Sequence, residues 1–215
     1  MLTRARAAAL VLAGLPLAAC STVHPGSAAV VDGETISMQT LDSTAEAYCT
    51  LTADAAQQQG VTTLSNGQVR RQAVVGLVSV VVARSLAERE GIEIPRRAYE
   101  LTASQRDQIA AEFPGADVDE LGRAIEDSQE VSAIAVALAA QETGEQPSEE
   151  NESQLAELGQ STILQAFPGH DVKFAPRFGL APTGEPRAET GSISVTPPDL
   201  EAPTDQELPV AQRCS

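Results

Sequence analysis

Ala73-Val74-Val75-Gly76-Leu77-Val78-Ser79-Val80-Val81-Val82-Ala83 is apolar on every face, whichever period is imposed on it. Valine-rich runs suit buried parallel strands, but eleven residues exceed an ordinary strand, and good helix formers stand on both sides of this one. Arg70, Arg71 and Arg84 bracket the run. It is also far short of the ~20 apolar residues that a membrane-spanning helix needs. The stretch therefore predicts the central, buried helix of a bundle. Asn66 is placed to cap it, and Gly91 ends it after Arg89 or Glu90.

Helices are predicted on both sides of this one. From Ser37, an N-cap candidate, to Gln59, apolar residues Met38, Leu41, Ala45, Tyr48 and Leu51 recur every three or four positions, and Gly60 stops the run. Pro95 suits the first turn of a third helix reaching Phe113 before Pro114-Gly115. Asp117 with Glu120 predicts the capped start of a fourth, continuing to about Glu142 through Leu121, Ile125, Ile134, Val136 and Leu138. A fifth is expected from Ser148 to Phe167, with Glu149, Glu150 and Glu152 in its first turn and Leu155, Leu158, Ile163 and Leu164 on its apolar positions. Ala28 to Ile36 is β-branched and carries Asp32-Gly33 in its middle, the signal of a tight turn, and Asp171 to Ala175 alternates polar and apolar residues. The expected fold is mainly α: about five helices with a small two-stranded sheet formed near 28–36 and 171–178. Six prolines among few apolar residues make 181–215 an expected extended or disordered tail.

The N-terminal residues carry a different signal. Arg4 and Arg6 precede a short apolar stretch, Ala7 to Leu15, and Leu17-Ala18-Ala19-Cys20 is similar to the bacterial lipobox. Residues 1–19 are thus expected to be a cleaved lipoprotein signal peptide, with Cys20 the lipidated first residue of the mature chain and 20–27 a tether reaching ~24 Å at most. Its residence is then a membrane's extracytoplasmic face, held by the lipid anchor. Cleavage removes two arginines and no acid, so the formal charge goes from −16 to −18. That sign opposes binding to nucleic acid or anionic lipid. With no Trp and 3% aromatics, the core must be built from Val, Leu, Ile and Ala. Once Cys20 carries lipid, Cys49 and Cys214 remain in a compartment that permits disulfides; they are either partners or two free thiols. The bond is the expected state, since exposed free thiols oxidise.

Two motifs at the ends of the helical stretch form a pair: Val30-Val31-Asp32-Gly33 with Ile36, and Pro176-Arg177-Phe178-Gly179. Together they resemble the N-terminal chaperone domain of the SurA and PrsA foldases in its short actinobacterial lipoprotein form. The resemblance spans residues 28–180 and implies that the first segment pairs with the returning strand, with helices between. Nothing resembles the family's parvulin domain, so the resemblance implies a holdase for unfolded or partly folded exported polypeptides without prolyl isomerase activity. The alternative is a structural lipoprotein that binds one dedicated cell-envelope partner. No catalytic residue, metal or cofactor is assigned. His24 and His170 have no ligand-like companions in sequence, although a dyad of His170 with Cys49 or Cys214 is conceivable. Asp117-x-Asp119 with Gly122 lacks the later ligands of a calcium loop and reads as a helix cap.

Overall fold

The computed structural model describes residues 24–58, 65–187 and 213–214. The leader, Cys20 and residues 188–212 lie outside that set. Two strands open the fold, β1 (Ser27–Val31) and β2 (Glu34–Ser37), followed by α1 (Met38–Gln58) and α2 (Asn66–Glu90). Then come α3 (Ala103–Glu112), α4 (Val118–Thr143), α5 (Glu152–Ala166) and β3 (Val172–Phe174). The fold is mainly α, with five helices and one small antiparallel sheet ordered β2-β1-β3.

The sheet has three strands, one more than expected, because the 28–36 segment folds on itself. Asp32 (φ 50°) and Gly33 (φ 89°) both take positive φ, the requirement of a type I′ turn, whose twist matches the flanking strands. Val31 therefore faces Glu34 across a two-residue loop, while on its other side β1 pairs Ala29 with Phe174 and Val31 with Val172. Paired along both edges and packed beneath α1 and α2, all five residues of β1 are buried.

The predicted central helix is α2. Val74, Val78 and Val82, one turn apart, are fully buried, and α2 touches α1, α4, α5 and β1. Its far side is less covered than the sequence suggested: Val75, Gly76, Leu77 and Val81 are only half-buried. Gly91 ends the helix in the left-handed conformation, with the Ile92 N–H donating to the Ala87 carbonyl at 2.8 Å. Ser65, not Asn66, holds the N-cap position.

Two other helix starts, those of α3 and α5, differ from expectation for local reasons, while α4 starts at Asp117 as expected. Pro95 precedes a single 3-10 turn, Arg96–Ala98, and α3 begins only after Thr102. There a reciprocal capping box forms: the Gln105 N–H donates to Thr102 Oγ1 (3.3 Å) and the Thr102 N–H to Gln105 Oε1 (2.8 Å). At α4 the Asp117 carboxylate accepts from the Asp119 and Glu120 N–H groups, but the Glu120 side chain turns to Arg123 and leaves that box half-made. At α5, Asn151 Oδ1 accepts from the Ser148 N–H (2.7 Å) and closes a turn, so Glu149 and Glu150 precede the helix. Leu155 and Ile163 are buried as expected, whereas Leu158 and Leu164 are each 41% exposed.

One core lies between the sheet, α1, α2, α4 and α5, with Phe167, Leu41 and Ile163 wholly buried. A second cluster around Leu121, Ala124 and Ile109 holds α3 against α4. Helices α4 and α5 approach most tightly at Gly159, where an added Cβ would fall on the Ala135 carbonyl and lie 2.7 Å from Ala135 Cα. The expected extended tail begins instead with a turn: the Ala181 N–H donates to the Glu185 carbonyl (2.8 Å) and the Arg187 N–H to the Gly179 carbonyl (2.7 Å). At the C-terminal end Arg213 pairs with Ser65, and Cys214 is bonded to Cys49 with their Cα atoms 5.5 Å apart. Among the described residues no helix is long and apolar enough to cross a membrane.

Candidate functional site

The first end motif lies in the sheet, but the second does not: the returning strand is only Val172–Phe174, and Pro176–Gly179, expected to belong to it, follows as a 3-10 turn because Pro176 has no N–H to give a ladder. Val30 and Val31 lie in β1, Asp32 and Gly33 form its turn, and Ile36 is buried in β2. The Ala175 N–H donates to the Ala28 carbonyl (2.8 Å) and leads into Pro176–Phe178, a 3-10 turn that buries Phe178, leaves Arg177 exposed and ends at Gly179 (φ 61°). Sequence reading found no companion for His170, yet it has two. Its Nδ1 lies 2.5 Å from Asp32 Oδ2, and its Nε2 lies 3.5 Å from Arg89 Nη2 on α2. Asp32 Oδ1 also accepts from the Asp171 N–H (2.7 Å). This arrangement locks the hairpin turn to the end of α5; it takes His170 away from the cysteines, which are bonded to each other. His24 is exposed at the start of the described chain.

The hydrogen bond from His170, then that from Asp171, holds the Asp32 carboxyl below the ordinary carboxylate range. A lowered folded-state pKa gives stability that is present above the unfolded value of about 3.8 and lost as pH falls through the folded one. Asp32 is half-exposed, so the contribution is below about 1 kcal/mol. Asp32→Asn keeps the turn, since Asn-Gly suits type I′, and is expected to flatten the acid limb of stability. Urea unfolding below and above pH 4 measures it, and an acid limb identical to wild type removes the assignment.

The feature with room for a ligand lies on the half-covered side of α2. Tyr48 of α1, Gly76 of α2, Asp127, Val131 and Ser132 of α4 and Gln160 of α5 surround a cavity of about 260 Å³. A wider one of about 510 Å³ is lined by Arg71, Val75, Gly76, Gln160, Leu164 and Leu180. Gly76 and Gln160 belong to both, so the two cavities adjoin along α2 as neighbouring parts of one groove. At Gly76 the Tyr48 phenol takes the space a side chain would fill: a Cβ there would lie 2.7 Å from the Tyr48 hydroxyl. The wide end mixes aliphatic Val75, Leu164 and Leu180 with Gln68, Arg71, Gln72 and Ser79, and the narrow end mixes Asp127 and Ser132 with Val131 and Ala135.

Asp127 dominates the narrow end. Burial, then the charges of Glu130 and Glu126, raises its pKa against the opposing pull of Arg84. Arg84 is committed elsewhere, gripping Glu130 with Nε and Nη2 at 3.0 and 2.5 Å while Nη2 stands 3.5 Å from Asp127. Glu126 in turn takes Arg106 (2.5 Å) and the Leu101 N–H (2.8 Å), while Asp127 has the 3.5 Å ion pair with Arg84 and the more distant charge of Arg123. Burial, and secondarily Asp127, also pushes the Tyr48 phenol up. A carboxyl whose folded-state pKa is raised opposes folding once ionised and ceases to as pH falls from the folded toward the unfolded value. Asp127→Asn is therefore expected to raise the melting temperature at pH 7, with the difference shrinking toward pH 4. A thermal melt in which it lowers stability at pH 7 contradicts this account. A charge kept in a cleft at a cost to the fold is a mark of functional sites.

Sequence reading placed Tyr48 on a helix face and Gly76 within the apolar run, but named none of these groove residues as a site. The legible signal was Gly76, a gap in an otherwise bulky helix. Among the described residues no three His, Cys, Asp or Glu side chains are grouped to hold a metal. The chain matches no family model, no curated protein and no solved structure.

Proposed function

We propose that the chain is a lipid-anchored, extracytoplasmic holdase that binds unfolded or partly folded exported polypeptides and has no prolyl isomerase activity. The observation that supports this reading best is the groove along α2, whose wider cavity offers aliphatic surface from Val75, Leu164 and Leu180 among polar side chains and adjoins a narrower one that carries Asp127. Such a surface suits an extended chain, whose alternate side chains need apolar contacts and whose backbone needs hydrogen-bonding groups. Pairing of the strand that carries Val30 and Val31 with Val172–Phe174, directly before the Pro176–Gly179 turn, is consistent with a SurA-type N-terminal domain. The Cys20 lipid would keep the groove near the membrane surface, where exported chains emerge.

The full chain in lipid nanodiscs should slow aggregation of an unfolded client, and Leu164→Ser at the groove rim should weaken the effect. An unchanged aggregation rate at equimolar protein sinks the holdase reading. A second reading, one dedicated envelope partner, draws on a separate observation: among the described residues the exposed large hydrophobics are Leu158 and Leu164, both on α5. A surface so sparingly apolar suits one complementary partner better than many clients. In-cell crosslinking from position 164 separates the two by yielding many products or one.

A further inference from the structure

We infer that the groove selects polypeptide segments in which a lysine or arginine stands beside aliphatic residues, the aliphatic side chains lying against Val75, Leu164 and Leu180 and the cation against Asp127 and Tyr48. This rests on the polypeptide-binding reading above and specifies its substrate class. The assignment of ends follows from what lines them. Val75, Leu164 and Leu180 offer aliphatic surface in the wide cavity, and Leu164 is 41% exposed without a ligand. Arg71 lines that same cavity and disfavours a cation there.

At the narrow end the electrostatics reverse. Arg84 is forked onto Glu130 and only grazes Asp127 at 3.5 Å, and Arg106 is taken by Glu126. An ammonium or guanidinium group entering the cavity would give Asp127 a second, closer charge-assisted partner beside the 3.5 Å pair with Arg84. The Tyr48 side chain, whose hydroxyl can accept a hydrogen bond, lines the same cavity. The chain's net charge of −16 favours the same ligand at long range. Ser132 and Gln160 supply hydrogen-bonding groups between the ends.

The test is binding of short labelled peptides of Leu, Ser and Gly that carry one Lys, one norleucine or one Glu. Anisotropy is read with the full chain in zwitterionic nanodiscs, against empty nanodiscs. The Lys peptide should bind about tenfold more tightly than its norleucine isostere, as one partly desolvated charge pair allows, and the Glu peptide least tightly. Asp127→Asn should erase the Lys advantage by weakening Lys binding while norleucine binding holds or improves, Asp127→Glu should keep part of the advantage, and Leu164→Ser should weaken all three alike. Circular dichroism of each variant checks that it is folded. Equal binding of the three peptides, or a Lys advantage that survives Asp127→Asn, overturns the inference and leaves the holdase reading standing. If no peptide binds, both fall.

Discussion

Breaking the Cys49–Cys214 bond lowers the free energy of unfolding by up to about 5 kcal/mol. The bond closes a loop across a sequence separation of 165, and the chain-entropy cost that an unfolded chain escapes when such a loop is opened has that size. It is an upper figure, since residual structure in the denatured state reduces the entropy gained. Even half of it is a large share of the 5–15 kcal/mol by which domains are stable. The loss has a local side too, because Cys214 carries Arg213, which pairs with Ser65 at the start of α2. Urea unfolding with and without reductant measures it, with Cys214→Ser as the second arm. Cys49→Ser alone is ambiguous because it buries a hydroxyl at a position 9% exposed. On a non-reducing gel the mobility shift caused by reductant should vanish in either variant. Equal stability of oxidised and reduced protein would show that the bond does not form.

Gly159→Ala should cost about 3 kcal/mol, or about 6 °C or more in melting temperature at this chain length. Two effects oppose each other at this position. Replacing a mid-helix glycine by alanine ordinarily gains about 1 kcal/mol of helix propensity. Here the new methyl would sit on the Ala135 carbonyl, and backbone cannot swing aside as a flexible side chain can. Helices α4 and α5 must separate, which opens the packing around Ala139 and Leu155. Overpacking wins. Gly67→Ala is the control: its Cβ would meet nothing nearer than Ser65 Oγ at 3.8 Å, so it should gain up to about 1 kcal/mol. Thermal melts that give the two variants the same sign refute the close α4–α5 approach.

Selection of cationic segments would also bear on the cost that Asp127 imposes. The substitution expected to stabilise the protein, Asp127→Asn, is the one expected to abolish the preference, the usual opposition of stability and function at a binding cleft.

Local patterns carried much of the fold. The eleven-residue apolar run could only be satisfied by burial, which made α2 the bundle's centre, and Asp32-Gly33 specified its turn because both residues tolerate positive φ. The helix starts at Pro95 and Ser148 were misplaced because a side-chain cap at Thr102 and a turn closed by Asn151 on the Ser148 N–H, not proline or acidic residues, decide where each helix begins. Leu158 and Leu164 fit a helical apolar pattern but stay exposed, since periodicity gives a face and not what covers it.

The sequence by itself determined the elements and their order: five helices, the Asp-Gly hairpin, and the Cys49 and Cys214 pair as candidates for a bond. Those follow from local backbone preference and from what water rejects. Only the tertiary structure decided that His170 meets Asp32 across 138 positions, that Gly159 lets α4 and α5 touch, and that Tyr48, Gly76 and Asp127 border one groove. Those depend on the rotation and closeness of packed helices, which are set by the fit of side chains from distant segments and are written in no single stretch of chain.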